Sequence, residues 1–276
     1  MKRWIGFFAL MILVISGMSY WFSLQSRSQS YGVFIGMERE DLLHLKKSYD
    51  CLVIDASNLN DDDIEKLGNQ SEDLFAYLNV GALEKSNAYY QDFKELAFKA
   101  YDNWEDESWI DVTDDSWQDF LIKDLALSLK NKGLDGLFLD NFDVYDQDFR
   151  PEVYQSLLAL LEGFSDLGLP VIINGGSTFV AELITKNPEK AQILLAGVNQ
   201  ESVFLAYDFN ANRASEQKLE DKTFYLDYLK AVSQAEIPVY LIEYGANSKE
   251  EIQIKKACRD LGYDLFLAPN IMLDRE

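Results

Sequence analysis

From Tyr31 onward the chain alternates short apolar runs with amphipathic stretches. The runs are YGVFIG (31–36), CLVIDAS (51–57), LFAYLNVG (74–81), GLFLDN (136–141), LPVIINGG (169–176), ILLAGVNQES (193–202), IPVYLIEYG (237–245) and YDLFLAPN (263–270). A short apolar run bounded by turn residues suits a strand covered on both faces. Eight such strands with a helical pattern in every gap predict a (β/α)8 (TIM) barrel rather than an open doubly wound sheet. The helices are well punctuated. Residues 114–132 set Trp117, Phe120, Leu121, Leu125 and Leu129 on one face and stop at Gly133; 150–167 carry Pro151 in the first turn; Ser248 and Glu251 read as a capping box. The sequence ends shortly after the eighth strand, so the last helix of a full barrel is expected to be missing and the segment before Tyr31 is a candidate to cover the seam.

Residues 1–30 break this rhythm. Lys2 and Arg3 precede a strongly apolar, uncharged stretch beginning at Trp4, long enough to span a bilayer with the basic end in the cytoplasm, and 27–30 form a polar linker. The organisation read from this is a signal anchor and linker (1–30) followed by one barrel domain (31–276), the barrel being extracytoplasmic and either membrane-anchored or secreted. A cleaved signal peptide is the rival, but its best small-x-small site, Gly17–Ser19, is weak, and no lipid-accepting Cys follows the apolar run.

Composition narrows the partners. The 276 residues include 47 acidic against 25 basic side chains, a net charge of −22. That balance excludes nucleic acid and docking on anionic headgroups, and it suits a cationic ligand, although a solubilising acidic surface has the same sign. His44 is the sole histidine and lies in a polar helical segment, which removes Ser-His-Asp, Cys-His and histidine-based zinc chemistry. Cys51 and Cys258 are expected to be unpaired and buried.

In a barrel the carboxyl ends of the strands converge on one site. Here those ends carry Asp55, Tyr77, Asn79, Asp140, Asn174, Asn199, Glu201, Glu243 and Tyr244. Asp140 directly follows the buried Leu137–Leu139 run, whereas Asp143 and Asp146 lie past the strand end and suit capping or loop support. A ring of carboxylates, amides and phenols without histidine, lysine or cysteine disfavours Schiff-base and thiol chemistry and leaves paired carboxylates, the equipment of glycoside hydrolysis. No metal or other cofactor is expected, because the carboxylates come from separate strands with no ligand spacing. A sugar-phosphate enzyme would want a glycine-rich phosphate cradle that EYGANS and APNIML do not offer. Two long gaps start on the same face: 83–112, with Tyr89, Tyr90, Trp104 and Trp109, and 204–221, with Tyr207, Phe209 and Arg213. Both are expected to wall the cleft, where aromatics can stack on sugar rings, though each aromatic taken singly suits loop anchoring better.

The strings YLNVGALE, WIDVT, GLDGLFLDNFDVY, NQESVF, PVYLIEYG and GYDLFLAPNIMLD, in this order, resemble glycoside hydrolase family 114, the endo-α-1,4-polygalactosaminidase family, over essentially all of 31–276. The resemblance implies a TIM-barrel glycosidase acting on a galactosamine-rich or other amino-sugar exopolysaccharide. It implies that Asp140 and Glu201 are the catalytic pair, and that Asp55, Tyr77, Glu243 and Tyr244 line the cleft; Asn79, Asn174, Asn199 and Trp104 complete the expected substrate-binding set. Asn79 and Ala82 stand where the family more often has serine. In the expected roles Asp140 is the ionised carboxylate, Glu201 the protonated general acid, and Asp55 and Glu243 bind substrate amines or tune the pair. The alternative is a non-catalytic carbohydrate-binding or envelope-interaction module on the same scaffold; survival of both carboxylates favours the enzyme. The oligomeric state stays open.

Overall fold

A computed structural model describes residues 30–276 except 103, 209, 210 and 212. The N-terminal anchor read above lies outside the described residues, as does Phe209; among the described residues no helix is long and apolar enough to cross a membrane. The strands are β1 (Tyr31–Phe34), β2 (Tyr49–Ile54), β3 (Ser71–Asn79), β4 (Ala82–Glu84), β5 (Ala97–Ala100), β6 (Glu107–Ile110), β7 (Gly136–Asp140), β8 (Val171–Asn174), β9 (Leu195–Glu201), β10 (Leu205–Asp208), β11 (Arg213–Glu216), β12 (Val239–Tyr244) and β13 (Asp264–Ala268). Eight of them form one sheet in the order β1-β2-β3-β7-β8-β9-β12-β13, with parallel neighbours throughout. This is the (β/α)8 barrel that the eight apolar runs predict. Leu137, Phe138 and Leu139 are 0%, 1% and 0% exposed, so β7 is covered on both faces, which is why its sequence shows no polar alternation.

The sheet's two end strands meet through side chains, Phe34 of β1 packing edge-on against Phe266 of β13 at 5.2 Å between ring centres. The residues after β13 run back beneath β1: Gly36 N donates to Leu273 O (3.3 Å), and the Glu276 carboxylate accepts from Lys46 N (2.9 Å) and Tyr49 Oη (3.0 Å). C-terminal residues therefore cover this seam; the segment before Tyr31, the other candidate, lies outside the described residues except for Ser30.

Other expectations shift in detail. The last helix, Ser248–Leu261, is capped by Asn247 with Glu250 in a reciprocal box, one residue earlier than Ser248 with Glu251. The gap between β1 and β2 holds only one helical turn, Arg39–Leu42. The helix over 115–132 contains a π-helical stretch, Phe120–Ala126. Its extra residue moves the buried face from Leu125 to Ala126, so Trp117, Leu121 and Ala126 are fully buried while Leu125 and Leu129 are only half-buried.

The long gap after β3 is not a loose wall. It folds into a three-stranded antiparallel sheet, β4-β6-β5, that follows the carboxyl end of β3. Two contacts anchor it. Gly81, between β3 and β4, passes so close to β7 that an added Cβ would lie 1.9 Å from Asn141 O. Below it, Trp117 is fully buried and donates its Nε1–H to Val80 O at 3.0 Å, with Tyr89, Phe93 and Phe120 packed around its ring. Tyr89 thus anchors the gap through its ring. The gap after β9 forms the hairpin β10–β11. Trp117→Ala is expected to cost about 3–5 kcal/mol in urea unfolding, and Trp117→Phe about 1 kcal/mol from the lost hydrogen bond plus the smaller ring.

Candidate active site

Strand register brings the polar ends together. Asn79 lies opposite Asp140, and Asn174 opposite Asn199. Side chains two apart on a strand share a face, so Tyr77 with Asn79 and Asn199 with Glu201 point the same way. Each of four strand ends then turns sharply through left-handed backbone: Asn141 (φ 65°) after Asp140, Gly175 (φ 70°) after Asn174, Ser202 (φ 56°) after Glu201 and Gly245 (φ 62°) after Tyr244. Glycine and asparagine adopt this conformation readily, whereas Ser202 holds it at some cost, a type of strain found at functional sites.

One amide joins the two carboxylates. Asn174 Nδ2 donates to Asp140 Oδ1 at 3.0 Å and to Glu201 Oε1 at 2.8 Å. Its orientation is set from behind: Asn199 Nδ2 donates to Asn174 Oδ1 at 2.6 Å, and Tyr31 Oη donates to Asn199 Oδ1 at 3.1 Å. A phenol on β1 thus fixes an amide on β9, which fixes the amide on β8 that holds the pair. Asp140 accepts two further bonds, from Asn141 N to Oδ1 (2.9 Å) and from Tyr77 Oη to Oδ2 (3.1 Å). Glu201 accepts one more, from Tyr244 Oη to Oε2 (2.7 Å).

Electrostatics follows from this placement. Burial raises the Asp140 pKa, and the bonds from Asn174, Asn141 and Tyr77 oppose that rise. Glu201 is raised by burial and then by the negative charge of Asp140, with Tyr244 and Asn174 opposing. Burial and the adjacent carboxylates also drive the Tyr77 and Tyr244 phenols well above their ordinary range, so both remain donors.

The other expected residues fall into distinct places. Asn79 Oδ1 accepts from Ala82 N (2.9 Å) and Asn141 Nδ2 (3.0 Å), tying β3 to the turn after β7. Asp55 is exposed and accepts from Ser57 N (2.9 Å), forming a local turn at the end of β2. Trp104 is 38% exposed between β5 and β6. Glu243 does not face the cleft with Tyr244. Adjacent strand residues point to opposite faces, and Glu243 is 0% exposed, accepting from Phe204 N (2.6 Å) and Leu205 N (2.9 Å) in the turn that leads into β10. Burial pushes its pKa up to about 7 against those backbone donors. Asp143 accepts from Gly176 N (3.0 Å), linking the turns after β7 and β8, and burial raises it to about 6.

Sequence reading misses four neighbours of the pair. Asn141 and Tyr101 brace the β7 turn, Tyr101 Oη donating to Asn141 Oδ1 at 3.0 Å. Glu84 and Glu107 stand directly opposite each other on β4 and β6. Asn141 and Glu84 have a signal in the sequence, as the ends of GLFLDN and YLNVGALE; Tyr101 and Glu107 come from a segment whose antiparallel pairing leaves no periodic trace.

Because the pKa of Asp140 is raised in the folded state, the fold binds its proton more tightly than the unfolded chain does, and stability falls as pH rises from about 4 through the folded value. Asp140→Asn is therefore expected to raise stability by about 1–2 kcal/mol at pH 8, with the gain vanishing below about pH 4. Thermal melts across that range check it.

The geometry has relatives. The glycoside hydrolase domain of PelA from Pseudomonas aeruginosa superposes with a TM-score of 0.73 at 22% identity, covering 89% of this chain and 96% of that one. Ega3 from Aspergillus fumigatus, solved in complex with galactosamine, gives 0.67 at 13% identity over 90% of this chain and 93% of that one. TtGalA, an alpha-galactosidase from Thermus thermophilus, gives 0.55 at 12% identity over 87% of this chain and 57% of that one. At these identities the likeness concerns the fold. No curated protein sequence matches the chain. The sequence profile of glycoside-hydrolase family GH114 matches residues 26–268, so this chain belongs to that family and is a glycoside hydrolase.

Proposed function

We propose that this protein is an endo-acting glycosidase that cleaves a galactosamine-rich or other amino-sugar polysaccharide outside the cytoplasm, with Asp140 as nucleophile and Glu201 as general acid/base. The observation that carries the reading is the shared amide. Two carboxylate oxygens within 3.0 Å and 2.8 Å of one nitrogen hold the carboxyls as a pair at one place in the cleft, which supports the retaining arrangement, in which one carboxyl attacks and the other handles the proton.

The hydrogen bonds support the division of roles. Three donors on Asp140 favour its ionised form, and Oδ2, which accepts only from Tyr77 among the described residues, is the freer oxygen for attack. Burial and that neighbouring charge raise the Glu201 pKa, which suits the proton-holding role. Attack by Asp140 forms a bond to the anomeric carbon as the glycosidic C–O bond breaks, and the departing oxygen takes the Glu201 proton. Esterified Asp140 carries no charge, so the pKa of Glu201 falls. It can then take a proton from water, whose oxygen displaces Asp140 and leaves the sugar with its original configuration.

Glu243 and Asn199 act in this reading as positioning residues, because both are fully buried and bonded to protein groups. The amino-sugar assignment draws on the galactosamine bound by Ega3 and on the net charge of −22, which complements a partly deacetylated, cationic chain. The extracytoplasmic location and membrane attachment draw on the apolar segment within residues 1–30.

Asp140→Asn and Glu201→Gln are each expected to lower release of reducing ends from α-1,4-linked galactosamine polymer by ~10²–10⁴-fold; wild-type rates in both would remove the roles. Proton NMR of the first products is expected to show the α anomer before mutarotation. The β anomer would instead establish inversion.

A further inference from the structure

Asp143 sits where an aspartate normally caps a helix, yet it does not cap one. It is the N-cap of the short helix Val144–Gln147, and its side chain makes no capping bond there. The carboxylate reaches across to the turn after β8 instead, where Gly176 N donates to Oδ2 at 3.0 Å. That turn begins at Asn174, the amide that joins Asp140 to Glu201, and runs through Gly175 and Gly176 in left-handed backbone (φ 70° and 61°). The two turns are in direct contact. A Cβ added to Gly175 would lie 2.4 Å from Asp143 Oδ2, and one added to Gly176 would lie 2.5 Å from Phe142 Cβ. On its other side the turn is held by Gly175 N donating to Asn199 O at 3.0 Å. The backbone that carries Asn174 is therefore clamped between β9 and the Asp143 carboxylate.

The same carboxylate is also part of the charge around the pair. Burial raises Asp143 to about 6, the Gly176 bond opposing the rise and the Asp140 and Asp146 charges adding to it. Glu201 on β9 is raised by burial and Asp140, and further by Asp143. Tyr101, after β5, and Tyr225 and Tyr228, on the helix Leu219–Gln234, feel the Asp143 charge as well. Every titratable group facing Asp143 is thus an acid or a phenol. Above about pH 6 Asp143 is ionised and opposes loss of the Glu201 proton.

We propose that Asp143 is a positioning residue of the hydrolytic site: through Gly176 N it holds the turn that aims Asn174 at Asp140 and Glu201, and its negative charge backs the protonated form of Glu201. The proposal rests on the roles given above to Asp140 and Glu201, and adds a carboxylate that exchanges no hydrogen bond with either. Shortening the side chain releases the turn, so Asn174 no longer fixes the pair. Neutralising it without shortening it keeps the turn and removes only the charge. As pH rises Glu201 loses the proton that the departing oxygen needs, so activity falls on the basic side; without the Asp143 charge that fall comes at lower pH.

The test compares Asp143→Ala and Asp143→Asn in the full-length protein by release of reducing ends from α-1,4-linked galactosamine polymer across the pH range. The asparagine oxygen can still accept from Gly176 N but carries no charge. Asp143→Ala is expected to lower kcat about 10–100-fold with KM changed less than about twofold. Asp143→Asn is expected to recover to within about threefold of wild type on the acid side of the optimum, with its basic limb displaced to lower pH. Wild-type kcat in Asp143→Ala, an equal fall in both variants, or a basic limb left in place by Asp143→Asn overturns the proposal. Thermal melts verify folding; if Asp143→Ala is unfolded at the assay temperature, the limb of the Asp143→Asn profile decides alone. A failure of the catalytic roles shows separately, as wild-type cleavage by Glu201→Gln, whereas a failure of this inference alone leaves Glu201→Gln impaired.

Discussion

The two-carboxylate site depends on one amide group. Asn174 Nδ2 offers both of its hydrogens to carboxylates, one on each side, and so sets their separation and gives each a fixed donor. An amide suits the task because it is neutral: a lysine in its place would favour the ionised form of both acids, whereas the amide leaves the repulsion from Asp140 that raises the Glu201 pKa. Its orientation is imposed by Asn199 and Tyr31, so the geometry at the barrel's mouth is referred back to the first strand. Closure of the sheet is therefore a requirement of the chemistry as well as of stability.

Concentrating acids in one mouth opposes folding, and the structure offsets this with neutral donors instead of cations. Tyr77 and Tyr244 each donate to one member of the pair, backbone N–H groups serve Asp143 and Glu243, and the turns after the strands supply Asn141 N to Asp140. Ion pairs such as Lys123 with Asp119 and Lys255 with Glu251 lie on exposed helix surfaces, where they contribute little. The cleft stays acidic.

The two long insertions do different work. The one after β3 is rigidified by the Trp117 cluster and the close passage of Gly81 against Asn141, and it delivers Glu84, Glu107 and Tyr101 to the site. The one after β9 is a hairpin whose start is held by the buried Glu243 carboxylate, and it sets Tyr207 edge-on to Tyr244 at 6.2 Å. Each insertion thus touches the pair through a tyrosine's neighbourhood.

The barrel was legible because each strand is buried on both faces and reads as an unbroken apolar run, and because strand ends in a barrel must converge; Asp140, Glu201, Asn174, Asn199, Tyr77 and Tyr244 were placed on that basis and do meet. Adjacent-residue parity could have separated Glu243 from Tyr244 without coordinates. Other features had no such signature. The Leu125-to-Ala126 shift comes from a π-helical turn, the seam is covered by a tail that is local to nothing in sequence, and Glu107 reaches Glu84 only through an antiparallel pairing across more than twenty residues. Sequence alone determined which side chains stand at the strand ends, since that depends on local periodicity. Only the tertiary structure decided which amide bridges which acids and which carboxylates face one another, because those are contacts between distant segments whose register the packing sets.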